Sequence, residues 1–431
     1  MAGSDTLTLD ANRVSTLSDK KIYKLVIASS IGNALEWFDL IVYGFFAATI
    51  AKLFFPSDNE TVSLLLALGS FALSYLIRPL GAVIIGSYAD RVGRKAAMLL
   101  TIWLMMIGTF LISVMPTYET IGILAPIGIF AARLIQGFSA GGEFGTATAL
   151  LVEKAPHKKG LISSFMFASQ GVSGLLASGF GLLLTTTLTT DQLHDWGWRI
   201  PFLFGLLIGP VGLYIRRHIE EATEFKQSEP QSAPVSTLLK HHKGSILMAI
   251  GAMMLSTSVS YTIIYMPTYA VKQLGLSASI GFGGTLLSGI ILTILTPFVG
   301  HLSDLIGRTK VMLTACTIFV ISIVPVFYYL SLYPALATLF MMLTWLSLLK
   351  AFYYGGLPAL LSELFPTRVR ATGMSLSYNI ATTLFGSATP FFIALLISSS
   401  GNNLAPSFYL IFTSTVSMIT LLIVRHKRSI G

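Results

Sequence analysis

The sequence predicts an all-α membrane protein of about twelve transmembrane helices, arranged as two similar halves. Of its 431 residues, 54% are hydrophobic and 11% are charged, whereas a water-soluble chain carries about 25% charged residues. The phrase GSYADRVGRK, beginning at Gly86, recurs in looser form as GHLSDLIGRTK, beginning at Gly300. A second phrase, ALLVEKAP from Ala149, recurs as ALLSELFP from Ala359. Two motifs that each recur after nearly the same number of residues indicate a duplicated membrane unit, an architecture common among transport proteins.

Twelve apolar runs account for the expected helices. A helix needs about 20 mostly apolar residues to cross the hydrocarbon core of a bilayer, and runs of this kind follow one another almost without pause. We number them spans 1 to 12 in chain order. They are Ile22–Ile50, Thr61–Ala89, Ala96–Met115, Thr120–Leu151, Leu161–Thr185, Arg199–Arg216, Ile246–Val271, Ile280–His301, Val311–Leu330, Pro334–Leu361, Thr372–Ile397 and Pro406–Val424.

The distribution of basic residues predicts the orientation of these spans. The chain carries 28 Lys and Arg against 19 Asp and Glu, a net charge of +9. With a cytoplasmic N-terminus, nearly all the basic residues outside the spans fall on the cytoplasmic side, as the positive-inside rule requires. Lys52, Arg199 and Lys272 are the exceptions. The excess charge therefore indicates a topology with both termini in the cytoplasm, and it does not indicate a nucleic-acid partner.

This topology divides the chain into five parts. They are a cytoplasmic N-terminal tail (1–21), an N-terminal six-helix bundle (22–216), a cytoplasmic linker (217–245), a C-terminal six-helix bundle (246–424) and a cytoplasmic tail (425–431). The single cysteine, Cys316, excludes a disulfide framework and a thiolate metal site. We expect a monomer surrounded by membrane lipid, with no metal and no other cofactor.

Six ionisable residues remain inside the expected spans. A charge at mid-membrane costs at least about 2.5–3.5 kcal/mol on insertion scales, so such residues seek partners and mark pathways. Three cations and three carboxylates balance here, and we expect them to meet in one water-accessible chamber between the halves. Arg78 precedes Pro79, so a structural role at a kink is as reasonable as a substrate role. The six are Arg78, Arg133, Lys350, Glu36, Asp39 and Glu143.

Helical spacing groups the charges of spans 1 and 4. Glu36 and Asp39 stand three residues apart, hence on one helix face. A low dielectric disfavours the charged form of neighbouring carboxylates, which suits proton uptake near neutral pH. On span 4, Gln136 and Glu143 are seven residues apart and nearly eclipsed on a helical wheel, with Arg133 to one side. The alternative interpretation is an Arg133–Glu143 ion pair that only holds helices together.

Polar side chains of spans 7, 10 and 11 complete the candidate substrate site. Lys350, Tyr353 and Tyr354 form an i, i+3, i+4 cluster near the middle of span 10. A cationic head beside two hydroxyls suits a carboxylate ligand. A snorkelling lysine is the alternative, although mid-span is far from either surface. Tyr265 on span 7 and Asn379 on span 11 are further substrate-binding candidates.

The repeated phrase offers a conformational latch at the cytoplasmic ends of the spans. A glycine lets its helix approach a neighbour closely or permits a tight turn, and an aspartate can accept hydrogen bonds from a helix N-terminus. Basic residues could pair with a glutamate, although loop charges that merely fix topology are the alternative. Because Leu305 replaces an arginine, we expect a weaker second copy. The expected latch residues are Gly86, Asp90, Arg91, Gly93, Arg94 and Glu153, and in the second copy Asp304, Arg308 and Glu363.

The loop G-x3-D-R-x-G-R-K resembles the signature of the major facilitator superfamily. GNALEWFD from Gly32, RLIQGFSAGGE from Arg133 and WGWRIPF from Trp196 resemble its metabolite:proton symporter family, which includes carriers of citrate, tricarballylate, 2-oxoglutarate, shikimate, and proline or betaine. The resemblance runs from about residue 24 to 425. It implies the major facilitator fold, with twelve helices in two pseudo-symmetric bundles, a central cavity, alternating access and proton coupling.

These observations predict a secondary active transporter of a bacterial inner (plasma) membrane. The leading expectation is proton-coupled uptake of a small organic acid, such as a di- or tricarboxylate, with the three cations neutralising substrate and the three carboxylates handling protons. The alternative is a proton-coupled carrier of a zwitterion such as proline or betaine, because tyrosines suit a quaternary ammonium. A receptor or an embedded enzyme is not expected, since the spans contain no HExxH or paired metal-ligand pattern.

Overall fold

The computed structural model describes residues 19–92, 94–141, 143–217, 234–366 and 369–430. Each expected span corresponds to a helix or to a broken helix. The unbroken ones are span 3 (Arg94–Val114), span 5 (Lys159–Thr187), span 6 (Arg199–Arg217), span 7 (Lys243–Lys272), span 8 (Ala278–Ile306), span 9 (Arg308–Leu332), span 10 (Leu336–Glu363) and span 12 (Ala405–Ile430).

Four spans are interrupted. They are span 1 (Asp19–Phe45 and Ala47–Phe54), span 2 (Glu60–Leu76 and Arg78–Val92), span 4 (Leu124–Ser139 and Glu143–Lys154) and span 11 (Arg370–Ala381, a π-helical turn Thr382–Ser387, and Thr389–Ser400). The two parts of span 1 meet at a bend of 67°. By length and composition, eight of the helices searched in the described residues could cross a membrane, or nine with the bent span 1, while spans 3 and 4 contribute shorter apolar helices.

Short helices occupy three connections. They are Tyr118–Ile121, Thr190–Gln192 with a π-helical turn Leu193–Gly197, and Pro234–His241. The last lies within the expected cytoplasmic linker (217–245), and span 7 begins at Lys243, before the expected boundary. Pro234 suits the first turn of a helix, where its missing N–H would have no partner. Leu238 is fully buried, so this helix is anchored to the bundle.

The contacts between spans repeat with a period of six. In the first half, span 1 packs against spans 5 and 6, span 3 against spans 4 and 6, and span 2 against span 4. In the second half, span 7 packs against spans 11 and 12, span 9 against spans 10 and 12, and span 8 against span 10. The duplication seen in the sequence is therefore also a duplication of packing.

The two halves meet along spans 5 and 8, along spans 2 and 11, and where spans 4 and 11 and spans 5 and 10 cross. Glycines let spans 5 and 8 approach closely: a Cβ on Gly300 would lie 2.7 Å from the Gly160 carbonyl oxygen. We call the end of the molecule that carries Lys154, Arg308 and Arg370 the basic end. The end that carries Glu60 and Lys272 is the opposite end.

Candidate functional site

A buried hydrogen-bonded chain in the first half joins a carboxylate of span 1 to an arginine of span 4. Thr109 of span 3 donates to Asp39 Oδ2 and accepts from Gln136 Nε2 at 3.0 Å. Gln136 Oε1 accepts from Arg133 Nη1 at 2.8 Å. All four side chains are at most 4% exposed. Because buried hydrogen bonds polarise one another, the protonation state of Asp39 can influence Arg133 through two neutral side chains.

Aromatic rings hold the guanidinium of Arg133. Its central carbon lies 4.4 Å from the ring centre of Tyr43 and 5.1 Å from that of Phe71, and Nη2 donates to Ser74 Oγ at 3.1 Å. Cation–π contacts of this kind strengthen when they are desolvated. The arginine is thus fixed in place inside the first half.

Span 4 is broken between Ser139 and Glu143, so the spacing of a continuous helix, on which the expected alignment of Gln136 with Glu143 rested, does not apply across it. The break falls at a run of small residues that starts at Ala140 and includes Gly141. The side chain of Glu143 lies outside the described residues, so its proton-coupling role stays a prediction.

Arg78 lies where the two halves meet. Its guanidinium stacks 3.8 Å above the ring centre of Tyr75, and it is within electrostatic range of Glu36 on span 1, Tyr261 on span 7 and Tyr378 on span 11. The side chain is 1% exposed, yet its Nε and Nη2 have no hydrogen-bond partner in the described part of the chain. We call these five residues the Arg78 cluster.

On the side that faces the opposite end of the molecule, contacts between tyrosines enclose the Arg78 cluster. The Tyr261 hydroxyl donates to the Tyr75 hydroxyl at 2.7 Å, which joins span 2 to span 7. The Trp37 ring lies 6.1 Å from the Tyr261 ring. Farther out, Lys272 of span 7 forms an ion pair with Glu60 of span 2. The halves are therefore in contact on this side.

Four stacked rings join the halves on the side of the basic end. Tyr354 stacks on Phe167 with ring centres 4.0 Å apart, Phe167 on Phe144 at 5.2 Å, and Phe144 on Tyr378 at 4.1 Å. The outer two rings belong to the second half and the inner two to the first. Counted along their helices, all four lie roughly 12–15 Å from the basic ends of their spans. We call this set the aromatic stack.

Lys350 lies inside the second half, apart from the Arg78 cluster. It lines a cavity of about 10 Å³ together with residues of spans 7 and 9, among them Ser256 and Phe319. Lys350, Tyr353 and Tyr354 do not form the single cluster expected on span 10. Successive residues are about 100° apart around a helix, so Tyr353 and Tyr354 face different neighbours. Tyr353 donates to the Ala252 carbonyl at 2.6 Å within the second half, whereas Tyr354 reaches Phe167 of the first half.

The remaining substrate-binding candidates take up different positions. Tyr265 is 1% exposed and packs against Tyr269 of the same span, with ring centres 6.5 Å apart. Tyr261, one turn earlier, is the tyrosine of this stripe that joins the Arg78 cluster. The Asn379 amide nitrogen donates to the carbonyl of Gly141, at the break in span 4. Asn379 thus connects span 11 to the interruption in the first half.

The latch residues of the second copy lie together at the basic end. Asp304 accepts hydrogen bonds from the backbone N–H groups of Gly160 at 2.8 Å and Leu161 at 3.0 Å, in the first turn of span 5. Arg308 pairs with Asp304 at 3.0 Å and with Glu363 at 2.7 Å. The aspartate of the repeated phrase therefore binds a helix N-terminus of the other half, a contact that the helix dipole favours.

The first copy is described in part. Glu153, which was expected to pair with Arg91, Arg94 or Lys95, forms an ion pair with Arg370 of span 11 at 3.0 Å, and this pair also joins the halves. Gly93 lies outside the described residues. For Gly86, Asp90, Arg91 and Arg94 the structure describes only the helical backbone. The latch role of all five residues therefore stays a prediction.

Sequence reasoning missed several side chains that complete the site. Tyr75 carried a usable signal, because it stands three residues before Arg78 and so shares its helix face. Thr109 and Ser74 carried none beyond being single hydroxyl residues in apolar runs. Their importance comes from contacts between spans, which spacing along the chain does not reveal.

Comparisons with known proteins agree with this architecture. The family model described as Major Facilitator Superfamily matches residues 29–390. The citrate-proton symporter of Klebsiella pneumoniae is 36% identical over 416 residues, which cover 96% of this chain and 94% of that protein. The proline/betaine transporter of Escherichia coli (strain K12) is 33% identical over 424 residues, which cover 94% and 84%.

The fold has solved counterparts. A crystal structure of a D-xylose-proton symporter superposes with a TM-score of 0.75 and covers 93% of this chain and 96% of that one, at 17% identity. A sequence identity this low supports a shared fold and nothing more. The prediction of the twelve-helix major facilitator fold is confirmed, as is the resemblance to metabolite:proton symporters. The chain belongs to the major facilitator superfamily and is a membrane transporter, not an enzyme.

Proposed function

We propose that this transporter takes up a small organic acid, such as a di- or tricarboxylate, together with protons by alternating access. The observation that carries the proposal is Arg78. It is a buried guanidinium at the contact between the halves, and among the described residues its Nε and Nη2 have no acceptor. An unpaired buried donor costs about 1–3 kcal/mol. A carboxylate recovers that cost, because it can accept two parallel hydrogen bonds from a guanidinium.

The chain is a multi-pass protein of a bacterial inner membrane. We further propose that the basic end and both termini face the cytoplasm, since the positive-inside rule places Lys- and Arg-rich segments there. Its partners are a small molecule and protons. Transport through a monomer is the simplest arrangement consistent with a substrate site between two halves of one chain.

Two carboxylates of span 1 supply proton coupling in this proposal. Glu36 is within electrostatic range of Arg78, so a proton on Glu36 would release Arg78 toward an anionic substrate. Asp39 is connected to Arg133 through Thr109 and Gln136. A proton on Asp39 would remove the charge at one end of that chain. Substrate and proton binding are then linked because both act on the same buried charges.

A zwitterion carrier remains the second candidate, and one observation favours it. The rings of Trp37 and Tyr261 lie 6.1 Å apart at an angle of 59°, and such rings can contact a quaternary ammonium. However, Arg78 already covers the face of Tyr75, and its charge would repel the ammonium of betaine. An organic anion therefore fits the Arg78 cluster better.

A thermal-shift screen of the purified protein separates the two candidates. A ligand that binds the folded form raises its stability by about 2.7 kcal/mol at one hundred times its Kd. We expect citrate or a dicarboxylate to raise Tm, and to raise it more at about pH 5.5 than at about pH 7.5, because in this proposal protons bind together with the substrate. Proline and betaine should have little effect. A shift with betaine and none with any carboxylate would contradict the proposal and support the zwitterion carrier.

A further inference from the structure

Lys350 is a buried cation without a buried anion beside it. It is 9% exposed and lies near the middle of span 10. The residues that line its cavity are Leu255, Ser256, Val259, Ala315, Phe319, Leu349 and Tyr353, so no carboxylate is found among the described residues of this cavity. An isolated charge in such surroundings is strongly disfavoured. Lys350 therefore needs either to be neutral or to acquire a counter-ion.

The titratable groups around Lys350 are engaged elsewhere. On its own span, the Tyr353 hydroxyl donates to the Ala252 carbonyl at 2.6 Å, and the Tyr354 hydroxyl is 2.5 Å from Ser260 Oγ of span 7. On span 9, Cys316 Sγ donates to the Ser414 carbonyl at 3.2 Å. The Ser256 side chain of span 7 also lines the cavity. The cavity, about 10 Å³, has room for about one water molecule.

Tyr354 separates Lys350 from the first half. The Lys350 ammonium lies 4.8 Å from the centre of the Tyr354 ring, and the same ring stacks on Phe167 of span 5. When the halves part at the basic end, Phe167 has to leave Tyr354. The flexible lysine can then extend past the ring toward the space between the halves. Its access to substrate is thus tied to the opening of the aromatic stack.

We propose that Lys350 is a second proton-binding site, in the C-terminal half, which takes up its proton together with a substrate carboxylate. Neutral Lys350 accepts a proton on Nζ from solvent as the carboxylate arrives, so an ammonium–carboxylate pair forms with no net buried charge. On release the carboxylate leaves and Nζ returns the proton to water. The inference rests on the proposed function, and it adds one proton to those handled by the carboxylates of span 1.

Proton uptake on citrate binding tests this directly. Isothermal titration calorimetry of the whole purified protein, in two buffers that differ in ionisation enthalpy, counts the protons bound per citrate. We expect Lys350→Arg, whose cation is permanent, to bind citrate with up to one proton fewer than the wild type. Lys350→Met should also take up fewer protons and bind citrate at least about tenfold more weakly. Lys52→Met, at the opposite end, is the control and should match the wild type.

Two results would overturn the proposal. One is a Lys350→Arg protein that binds citrate with the wild-type number of protons. The other is a folded Lys350→Arg protein, with wild-type Tm, that no longer binds citrate, since a cation at this position should still pair with a carboxylate. Failure of the proposed function would appear in the wild-type protein alone, as an absence of citrate binding. The inference about Lys350 is tested separately, by the difference between variant and wild type in the number of protons bound per citrate.

Discussion

At the residue scale, two buried arginines of the first half differ in what they can still bind. Arg133 donates from Nη1 to Gln136 and from Nη2 to Ser74, is held by aromatic rings, and leaves only its Nε without a partner within the described chain. Arg78 stacks on Tyr75 at the contact between halves, and two of its N–H groups lack acceptors within the described chain. We therefore propose that Arg78 contacts the substrate and that Arg133 transmits the proton state.

Replacing Arg78 should weaken anion binding. In Arg78→Gln the guanidinium that pairs with carboxylate is lost, which costs about 2–5 kcal/mol, or about 30-fold or more in Kd. Arg78→Lys keeps the charge but not the bidentate geometry, so an intermediate loss is expected. Calorimetric titration with citrate measures both. Arg199→Gln, at the opposite end, is the matched control. Wild-type affinity in Arg78→Gln would remove Arg78 from the site.

Replacing Asp39 should uncouple transport from protons. Asp39→Asn keeps the shape and can still bond Thr109, but it cannot change its charge. We expect citrate exchange across proteoliposomes to persist, while accumulation driven by a pH gradient falls at least tenfold (about 1.4 kcal/mol of coupling). Asp195→Asn, at an exposed position of the π-helical turn Leu193–Gly197, serves as control. Gradient-driven accumulation at the wild-type level in Asp39→Asn would show that Asp39 does not handle the proton.

The candidate charges could be found from sequence because an ionisable residue in an apolar run is costly and therefore rarely incidental. The residues that these charges contact could not be found from the sequence. Asp39 is connected to Arg133 through Thr109 of a third span and Gln136, and Lys350 lines a cavity between spans 7, 9 and 10. Both facts depend on how each helix is rotated about its axis, which the repeat and the topology leave open.

At the element scale, the contact of spans 5 and 8 combines close packing with a charged cap. A Cβ on Gly160 would lie 2.5 Å from the Gly300 carbonyl oxygen and 2.6 Å from Ser303 Oγ. At the same place Asp304 accepts two backbone hydrogen bonds from the first turn of span 5. Small residues and a dipole-directed carboxylate thus hold the two helices together at the basic end.

A methyl group at this contact should favour opening of the basic end. Overpacking in Gly160→Ala costs about 1–3 kcal/mol in the closed arrangement. We expect a cysteine placed at Ser164, which lies against Gly300, to react faster with a membrane-permeant maleimide in this variant. Gly174→Ala lies on the same span with nothing within 4 Å of the added Cβ, so its labelling rate should not change. Equal rates in both variants would contradict the tight contact.

The twelve spans were predictable because each is an apolar run of sufficient length, and all twelve appear as helices or broken helices. The interruptions were harder to anticipate. The small residues around Gly141 only weakly indicate a break in the helix. The helical-wheel argument treated span 4 as one continuous helix and so placed Gln136 and Glu143 on the same face. The Pro234–His241 helix was also missed, since its eight residues lie in a polar stretch and depend on Leu238 packing against the bundle.

At the scale of the whole molecule, the halves touch at both ends. Glu60 and Lys272 pair at the opposite end, and Glu153 and Arg370 pair at the basic end, with the Arg78 cluster between them. Ion pairs at the protein surface are weak because water screens them, so these pairs can break in turn during a cycle. In the described part of the chain, ion pairs therefore join the halves on both sides of the Arg78 cluster.

Cross-linking should show that both contacts must open. In a Cys316→Ser background, a reducible methanethiosulfonate linker between Glu153→Cys and Arg370→Cys should stop citrate uptake, and reduction should restore it. The pair Glu60→Cys and Lys272→Cys should behave alike at the other end. Single-cysteine variants treated with the linker are the controls. Continued uptake with either pair fully cross-linked would contradict alternating access around the Arg78 cluster.

Joint entry of an organic anion and protons through this transporter can be measured as transport with a pH indicator inside proteoliposomes. External citrate at acidic pH should enter, acidify the lumen and accumulate above its external concentration, whereas betaine should do none of these. Citrate uptake that leaves lumenal pH unchanged and ignores the imposed pH gradient would contradict the account.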